Sequence, residues 1–243
     1  MRRLYAFSVR VAKEILRDPL NLAFGLGFPL VLLLLLSAIQ ANIPVSLFEI
    51  QSLAPGVAVF GLSFLTLFSA TLIAKDRTGA LLQRLYTTPL GARDYILGYT
   101  LPLLPMALLQ SAVCYVAAIF LGLSPSVHLL VACLLMLPVA LFYTVLGLLC
   151  GAVLNDKQVG GICGALLTNL SAWLSGTWFD LSLVGGWFQK IANLLPFWHA
   201  VELERAVLRG EYMAILPHLW WVLGYALCMT VLAIAVFTKK MKV

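Results

Sequence analysis

Charge is what this chain lacks most. The stretch from Tyr95 to Asn155 holds no Asp, Glu, Lys or Arg, and only 11% of the 243 residues are charged. A soluble domain of this size needs a charged surface, so water is excluded as the solvent for most of the chain. No C-x-x-C pair occurs; Cys114, Cys133, Cys150, Cys163 and Cys228 all stand inside apolar runs and read as small packing residues. The G-x-x-x-x-G-K-[ST] loop, whose amides and lysine hold nucleotide phosphates, is absent. H-E-x-x-H and G-x-S-x-G are missing too. The first apolar run follows a polar-rich lead and precedes no A-x-A pattern, so it is expected to remain as a span and not to be cleaved as a signal. The net charge of +6 comes without a long basic stripe interleaved with aromatics, and nucleic acid is not an expected partner.

What is there is hydrophobic: 62% of the residues, with a mean hydropathy of +1.00. A central Asp, Lys or Arg costs about 2.5–3.5 kcal/mol on insertion scales, so charge-free runs of about 20 residues signal spanning helices. The apolar runs predict an all-α membrane protein with six transmembrane helices, near Leu20–Ile39, Leu53–Ala74, Tyr95–Leu121, Val127–Leu154, Val159–Trp178 and Leu216–Thr238. The third and fourth are split by Gly122-Leu123-Ser124-Pro125-Ser126, a charge-free turn that makes them a hairpin. Assigning alternate loops to opposite sides leaves only Lys190, Arg205 and Arg209 of the 16 basic residues on the far side, which puts both termini in the cytoplasm. Residues 179–215 are interrupted by Lys190 and Pro196 and are expected to form an external re-entrant helical segment, turning at Gly185-Gly186 and Leu195-Pro196.

Residues 2–18 form the other recognisable element. On a helical wheel Arg2, Arg3, Arg10, Lys13, Glu14 and Arg17 gather in about a third of the circumference, opposite Leu4, Phe7, Val11 and Ile15. That is the pattern of an amphipathic helix lying on a lipid surface. Asp18-Pro19 ends it just before the first span.

Between the second and third spans, residues 76–94 carry charges at both ends, a Leu-Leu-x-x-Leu stretch between them, and Thr88-Pro89 before the chain re-enters the membrane. A short helix parallel to the membrane is predicted. With Lys75-Asp76-Arg77-x-Gly79, the leucine-rich stretch, Thr88-Pro89-Leu90 and Leu97-Gly98, the chain resembles the ABC type-2 exporter permease family, the membrane-spanning subunits of ATP-binding-cassette transporters. The resemblance extends to the surface helix and to Leu174-Ser175-Gly176, Gly186-Trp187, Asn193-Leu194-Leu195-Pro196 and Ala200-Val201-x-x-x-Arg205, so residues 1–243 read as one transmembrane domain. Arg77 and Tyr99 depart from the family pattern, where a second glutamate and a lysine are common.

The resemblance implies that residues 76–94 are a coupling helix seated on a separate cytoplasmic ATPase, with Arg77, Arg84, Leu85, Thr88, Pro89 and Arg93 at the contact and a smaller contribution from Asp156 and Lys157. It also implies a pair of such subunits, identical or related, in a bacterial or archaeal cytoplasmic membrane. No cofactor is expected in this chain, ATP and Mg belonging to the partner ATPase. Phe60, Phe64 and Phe68 recur every four residues, and Thr168, Asn169 and Ser171 put polar groups along the fifth span. These residues suit a path for a lipophilic or amphipathic substrate such as a drug, antibiotic, peptide or lipid, or they pack helices together; the sequence leaves both open. Asn169 and Gln110 are expected to face the interior or another helix. Two rival readings stay open. One is an intramembrane enzyme built on His199, Glu202 and Glu204, although Glu202 and Arg205 are better read as a local i, i+3 pair. The other is a membrane scaffold or immunity protein that transports nothing.

Overall fold

A computed structural model describes residues 2–79, 81, 84, 87 and 90–240. All regular elements among the described residues are helical. Helix α1 (Arg2–Leu16) lies against the rest of the chain through Phe7 and Val11, both buried, while Tyr5 and Leu16 stay exposed. Phe7 fits edge-on between Tyr95 and Tyr99, with ring centroids 5.7 and 5.0 Å away. It fills the notch left by Gly98, where any side chain would collide with its ring. At the elbow, Asp18 caps α2 (Pro19–Leu22) by accepting from the Asn21 backbone N–H at 3.1 Å and its side-chain amide at 2.7 Å. The chain then continues through a π-helical turn (Ala23–Gly27) into α3 (Phe28–Gln40).

Helices α4 (Ile50–Leu62) and α5 (Phe64–Thr78) form one apolar column, followed by α6 (Ala92–Phe120) and α7 (Val127–Val153). Helix α5 packs closely on α7 because Gly147 and Gly151, four residues apart, face it. A Cβ at Gly151 would stand 2.5 Å from the Ala70 carbonyl oxygen. Where apolar side chains cannot supply attraction beyond that of lipid, hydroxyls tie the pair: Thr66 donates to the Tyr143 carbonyl at 3.0 Å and Ser69 to the Thr144 carbonyl at 2.9 Å. Gln110 is buried as the sequence predicts, and its amide donates to the Ala58 carbonyl at 3.2 Å.

Among the described residues, 5 helical segments are long and apolar enough to cross a membrane: Pro19–Gln40, Ile50–Thr78, Ala92–Phe120, Val127–Val153 and Tyr212–Lys240. The expected fifth span, residues 159–178, takes a different form. It is a run of α8 (Asp156–Val159), a π-helical turn (Gly160–Leu167) and α9 (Thr168–Leu174), and it stops at Leu174. Three glycines and the polar Gln158, Thr168, Asn169 and Ser171 make it less apolar than the other five. Beyond it, a 3-10 turn (Leu181–Leu183), α10 (Gly186–Leu194) and α11 (Pro196–Arg209) lead into α12 (Tyr212–Lys240). Gly185 and Gly186 both have positive φ, at 62° and 57°, the backbone a turn there requires. Helix α11 is driven into the bundle by Val201, Leu203, Ala206 and Val207, all fully buried.

The ends of these helices share two levels. Lys240 at the end of α12 donates to the Ala152 carbonyl at the end of α7, so these C-termini lie together. At the opposite level, Tyr212 at the start of α12 meets His128 at the start of α7, with ring centroids 5.9 Å apart.

Candidate functional site

The level shared by the ends of α5, α7 and α12 carries a polar cluster built from residues far apart in sequence. Asp76, in the last turn of α5, is only 4% exposed. Its carboxylate accepts a two-pronged bond from the Arg10 guanidinium at 2.6 and 2.5 Å, and a third bond from the Tyr99 hydroxyl at 2.6 Å. Bidentate guanidinium–carboxylate pairs and charge-assisted bonds are the strong members of their class. Arg10 also reaches Glu14 at 2.6 Å. The bond to Asp76 raises the Arg10 guanidinium further above its usual range, while burial raises the Glu14 carboxyl against the opposing pull of Arg10. Helix α1 is thereby fixed to the end of α5.

The next residue grips a different element. Arg77 is half-buried and donates to the Ala152 carbonyl at 3.0 Å and to the Leu154 carbonyl, the last acceptors of α7. Immediately after these carbonyls, Asn155 and Gln158 form a reciprocal cap at the start of α8, with bonds of 2.9 and 3.1 Å. Adjacent side chains at the end of α5 thus hold α1 on one side and the α7–α8 connection on the other. Lys75, just before them, pairs with Asp18 at 3.3 Å.

Residues 2–208 match the ABC-2 type transporter family. The chain belongs to that family. It is similar to a candidate transport permease, ycf38, of Porphyra purpurea, 29% identical over 211 residues that cover 83% of this chain and 72% of the relative. It is likewise similar to the ycf38 protein of Pyropia yezoensis, 28% identical over 214 residues, 84% of this chain and 73% of the relative.

As an ABC-2 permease the chain carries its sequence-predicted coupling residues in three situations. Arg84, Arg93, Asp156 and Lys157 are exposed, at the positions from which a partner could be reached. Arg77 is engaged inside the subunit, bonding the α7 carbonyls. Leu85, Thr88 and Pro89 lie outside the described residues. The sequence reading missed Arg10, Asp76 and Tyr99 as a unit. Tyr99 supplies a hydroxyl to the buried carboxylate.

The candidate path residues are also divided. Phe60 is buried in an aromatic cluster with Phe64 and Trp178, at centroid distances of 5.9 and 5.4 Å. Phe68 is buried against Gly25. The Thr168 hydroxyl donates to the Cys163 carbonyl at 3.0 Å, and Ser171 shares a hydrogen bond with the Tyr143 hydroxyl at 2.5 Å. Asn169, expected to face the interior or another helix, instead stands on the outside of the single chain, its amide donating to the Ala165 carbonyl at 2.8 Å.

His199 and Glu202, the pair considered for an enzyme, do not converge. The His199 ring bonds the Asn193 carbonyl and His218, each at 2.9 Å. Glu202 instead takes Arg205 at 2.9 Å and Arg209 at 3.5 Å. Glu204 is fully buried and accepts from the Tyr115 hydroxyl at 2.9 Å. Among the described residues no three His, Cys, Asp or Glu side chains gather in a way that could hold a metal.

Proposed function

We propose that this permease is the membrane-spanning subunit of an ATP-driven exporter, and that the end of α5 passes the motion of a separate cytoplasmic ATPase to the helices. The observation that carries the reading is the double grip of Asp76 and Arg77. A loop joined rigidly to α1 and to the α7–α8 connection cannot be displaced without moving three elements together, which is what a lever between an ATPase and a helix bundle requires. The exposed Arg84, Arg93, Asp156 and Lys157 are the contacts on the ATPase side.

In this reading the chain crosses the membrane six times, with the less apolar run Asp156–Leu174 as the fifth crossing and residues 179–215 as an external re-entrant segment. Two contacts support it: Lys240 beside Ala152, and Tyr212 beside His128. With α7 ending at one level and α12 starting at the other, a single traverse of the bundle by the chain between them fits this reading. Both termini are then cytoplasmic. A second copy, or a related subunit, covers the face of α9 that carries Asn169, because an amide left against lipid is costly. The path between the two subunits takes a lipophilic or amphipathic substrate.

Co-purification tests the coupling assignment. With the cognate ATPase co-expressed, the double variant Arg84→Glu/Leu85→Glu is expected to insert normally and to lose the ATPase; an undiminished yield of ATPase would sink the assignment. Uptake of an amphipathic substrate into inside-out vesicles, dependent on hydrolysable ATP, separates transport from a scaffold role.

A further inference from the structure

Where α1 turns into α2, a cavity of about 250 Å³ opens between the elbow and α5. Its floor is apolar, formed by Ile15, Leu22, Phe68 and Met106, whereas Glu14, Arg17, Asp18 and Lys75 stand around it. Most of these charges are already engaged. Glu14 is held by Arg10, and Asp18 accepts from Asn21 and pairs with Lys75. Arg17 is exposed and has no ion-pair or side-chain hydrogen-bond partner among the described residues. A free guanidinium therefore stands over an apolar slot.

The level of the slot follows from α1. An amphipathic helix on a lipid surface sits where headgroups give way to acyl chains. A cavity under its last turn has its charged rim among headgroups and its floor at the start of the hydrocarbon. The guanidinium fork matches phosphate oxygens in geometry and charge, and the volume admits a short length of chain but not a whole lipid.

We propose that the elbow cavity binds one phospholipid of the leaflet on which α1 lies, with its phosphate on Arg17 and the first part of an acyl chain over Phe68 and Met106. The lipid wedges the elbow against α5 beside the Arg10–Asp76 fork, so occupancy braces the joint between the surface helix and the loop. The proposal needs only the surface position of α1. It stands or falls independently of the partner ATPase and of transport.

Native mass spectrometry of the full chain in detergent tests it, with phosphatidylglycerol and inorganic phosphate titrated separately. The wild type is expected to retain one phosphatidylglycerol and no inorganic phosphate. Arg17→Gln weakens retention about tenfold, a change equivalent to roughly 1.4 kcal/mol. Thr71→Trp, which fills the slot from the α5 wall, abolishes it, and Lys13→Gln, on the exposed face of α1, leaves it unchanged. If Thr71→Trp does not give a monodisperse helical protein, Leu22→Trp, which fills the slot from its floor, is read in its place. An equal loss in Lys13→Gln and Arg17→Gln, retention in the filled variant, or binding of inorganic phosphate matching that of the lipid would each overturn the proposal.

Discussion

Removing Arg10 should cost this protein more than removing any other basic residue of α1. Asp76 is 4% exposed and accepts two of its three side-chain hydrogen bonds from Arg10. In Arg10→Met the carboxylate keeps only the Tyr99 hydroxyl. Breaking a buried ion pair from one side costs about 3–5 kcal/mol. Arg10 itself is 35% exposed, so solvent already screens part of the interaction, and the expected loss falls to about 2–3 kcal/mol. The double variant Arg10→Met/Asp76→Leu should recover much of that loss, because neither charge is then left buried alone. A double-mutant cycle should return a coupling energy of about 1.5–3 kcal/mol. Unfolding in mixed micelles, followed by tryptophan fluorescence, supplies the four free energies. Lys13→Met, on the exposed side of α1, serves as reference. If Arg10→Met costs no more than Lys13→Met, or the cycle closes to within about 0.5 kcal/mol, the fork does not hold α1 to α5 and the lever argument loses its anchor.

Other consequences are measurable in the same preparations. Gly151→Leu forces a side chain against the Ala70 backbone, which cannot yield as a side chain can, and should cost about 1–3 kcal/mol by overpacking; a neutral result would mean that α5 and α7 are further apart than described. Arg77→Met leaves the Ala152 carbonyl with Lys240 alone and the Leu154 carbonyl without its side-chain donor, and should speed amide exchange over residues 152–158, with a stability loss of about 1–2 kcal/mol; unchanged exchange there would contradict the double grip. The third concerns pH. The Asn193 carbonyl can only accept, so His199 carries its proton on Nε2 and its Nδ1 accepts from His218. Burial pushes the His199 imidazole below its usual 6.5. A group whose folded-state value is depressed contributes stability above the unfolded value, and that contribution fades as pH falls through the folded one. Protonating Nδ1 also removes the acceptor for His218. Glu202 and Arg209 stand near the pair and oppose one another in charge. Exchange in α10 and α11 should therefore quicken between about pH 7 and about pH 5, and His199→Gln should flatten that dependence. A profile identical to wild type would reassign it.

Much of this arrangement is legible in the sequence because it is periodic or charge-free. The basic arc of α1 follows from a 3.6-residue repeat, but Phe7 and Val11, on the face expected to meet lipid, are buried in the protein with Tyr95, Ile96 and Tyr99. The long helices on either side of Gly122–Ser126 follow from runs without charge. What was not legible depends on contacts between distant residues. Arg10 and Asp76 are 66 positions apart, and each alone reads as an ordinary charge beside the membrane. Arg77 reads as a loop cation free to meet a partner, whereas helix termini from another part of the chain take it up. The sequence reads as a span over Val159–Trp178, but Ser175 turns back to bond the Ala172 carbonyl and Gly176 adopts φ 70°, and the helix ends at Leu174. Phe60 and Phe68 illustrate a further limit: the fourfold spacing is correct, yet spacing does not tell a lining face from a packed one, and both rings are buried inside the subunit.

The central claim is that the loop after α5 meets a cytoplasmic ATPase, and side-specific labelling at Arg84 tests it most directly. In inside-out vesicles containing Arg84→Cys and the cognate ATPase, an impermeant maleimide should label residue 84 when the ATPase is stripped away, and a short crosslinker should join the two proteins when it is present. Labelling only from the opposite face of the membrane, or no crosslink at any spacer length while the ATPase remains bound, would contradict the account.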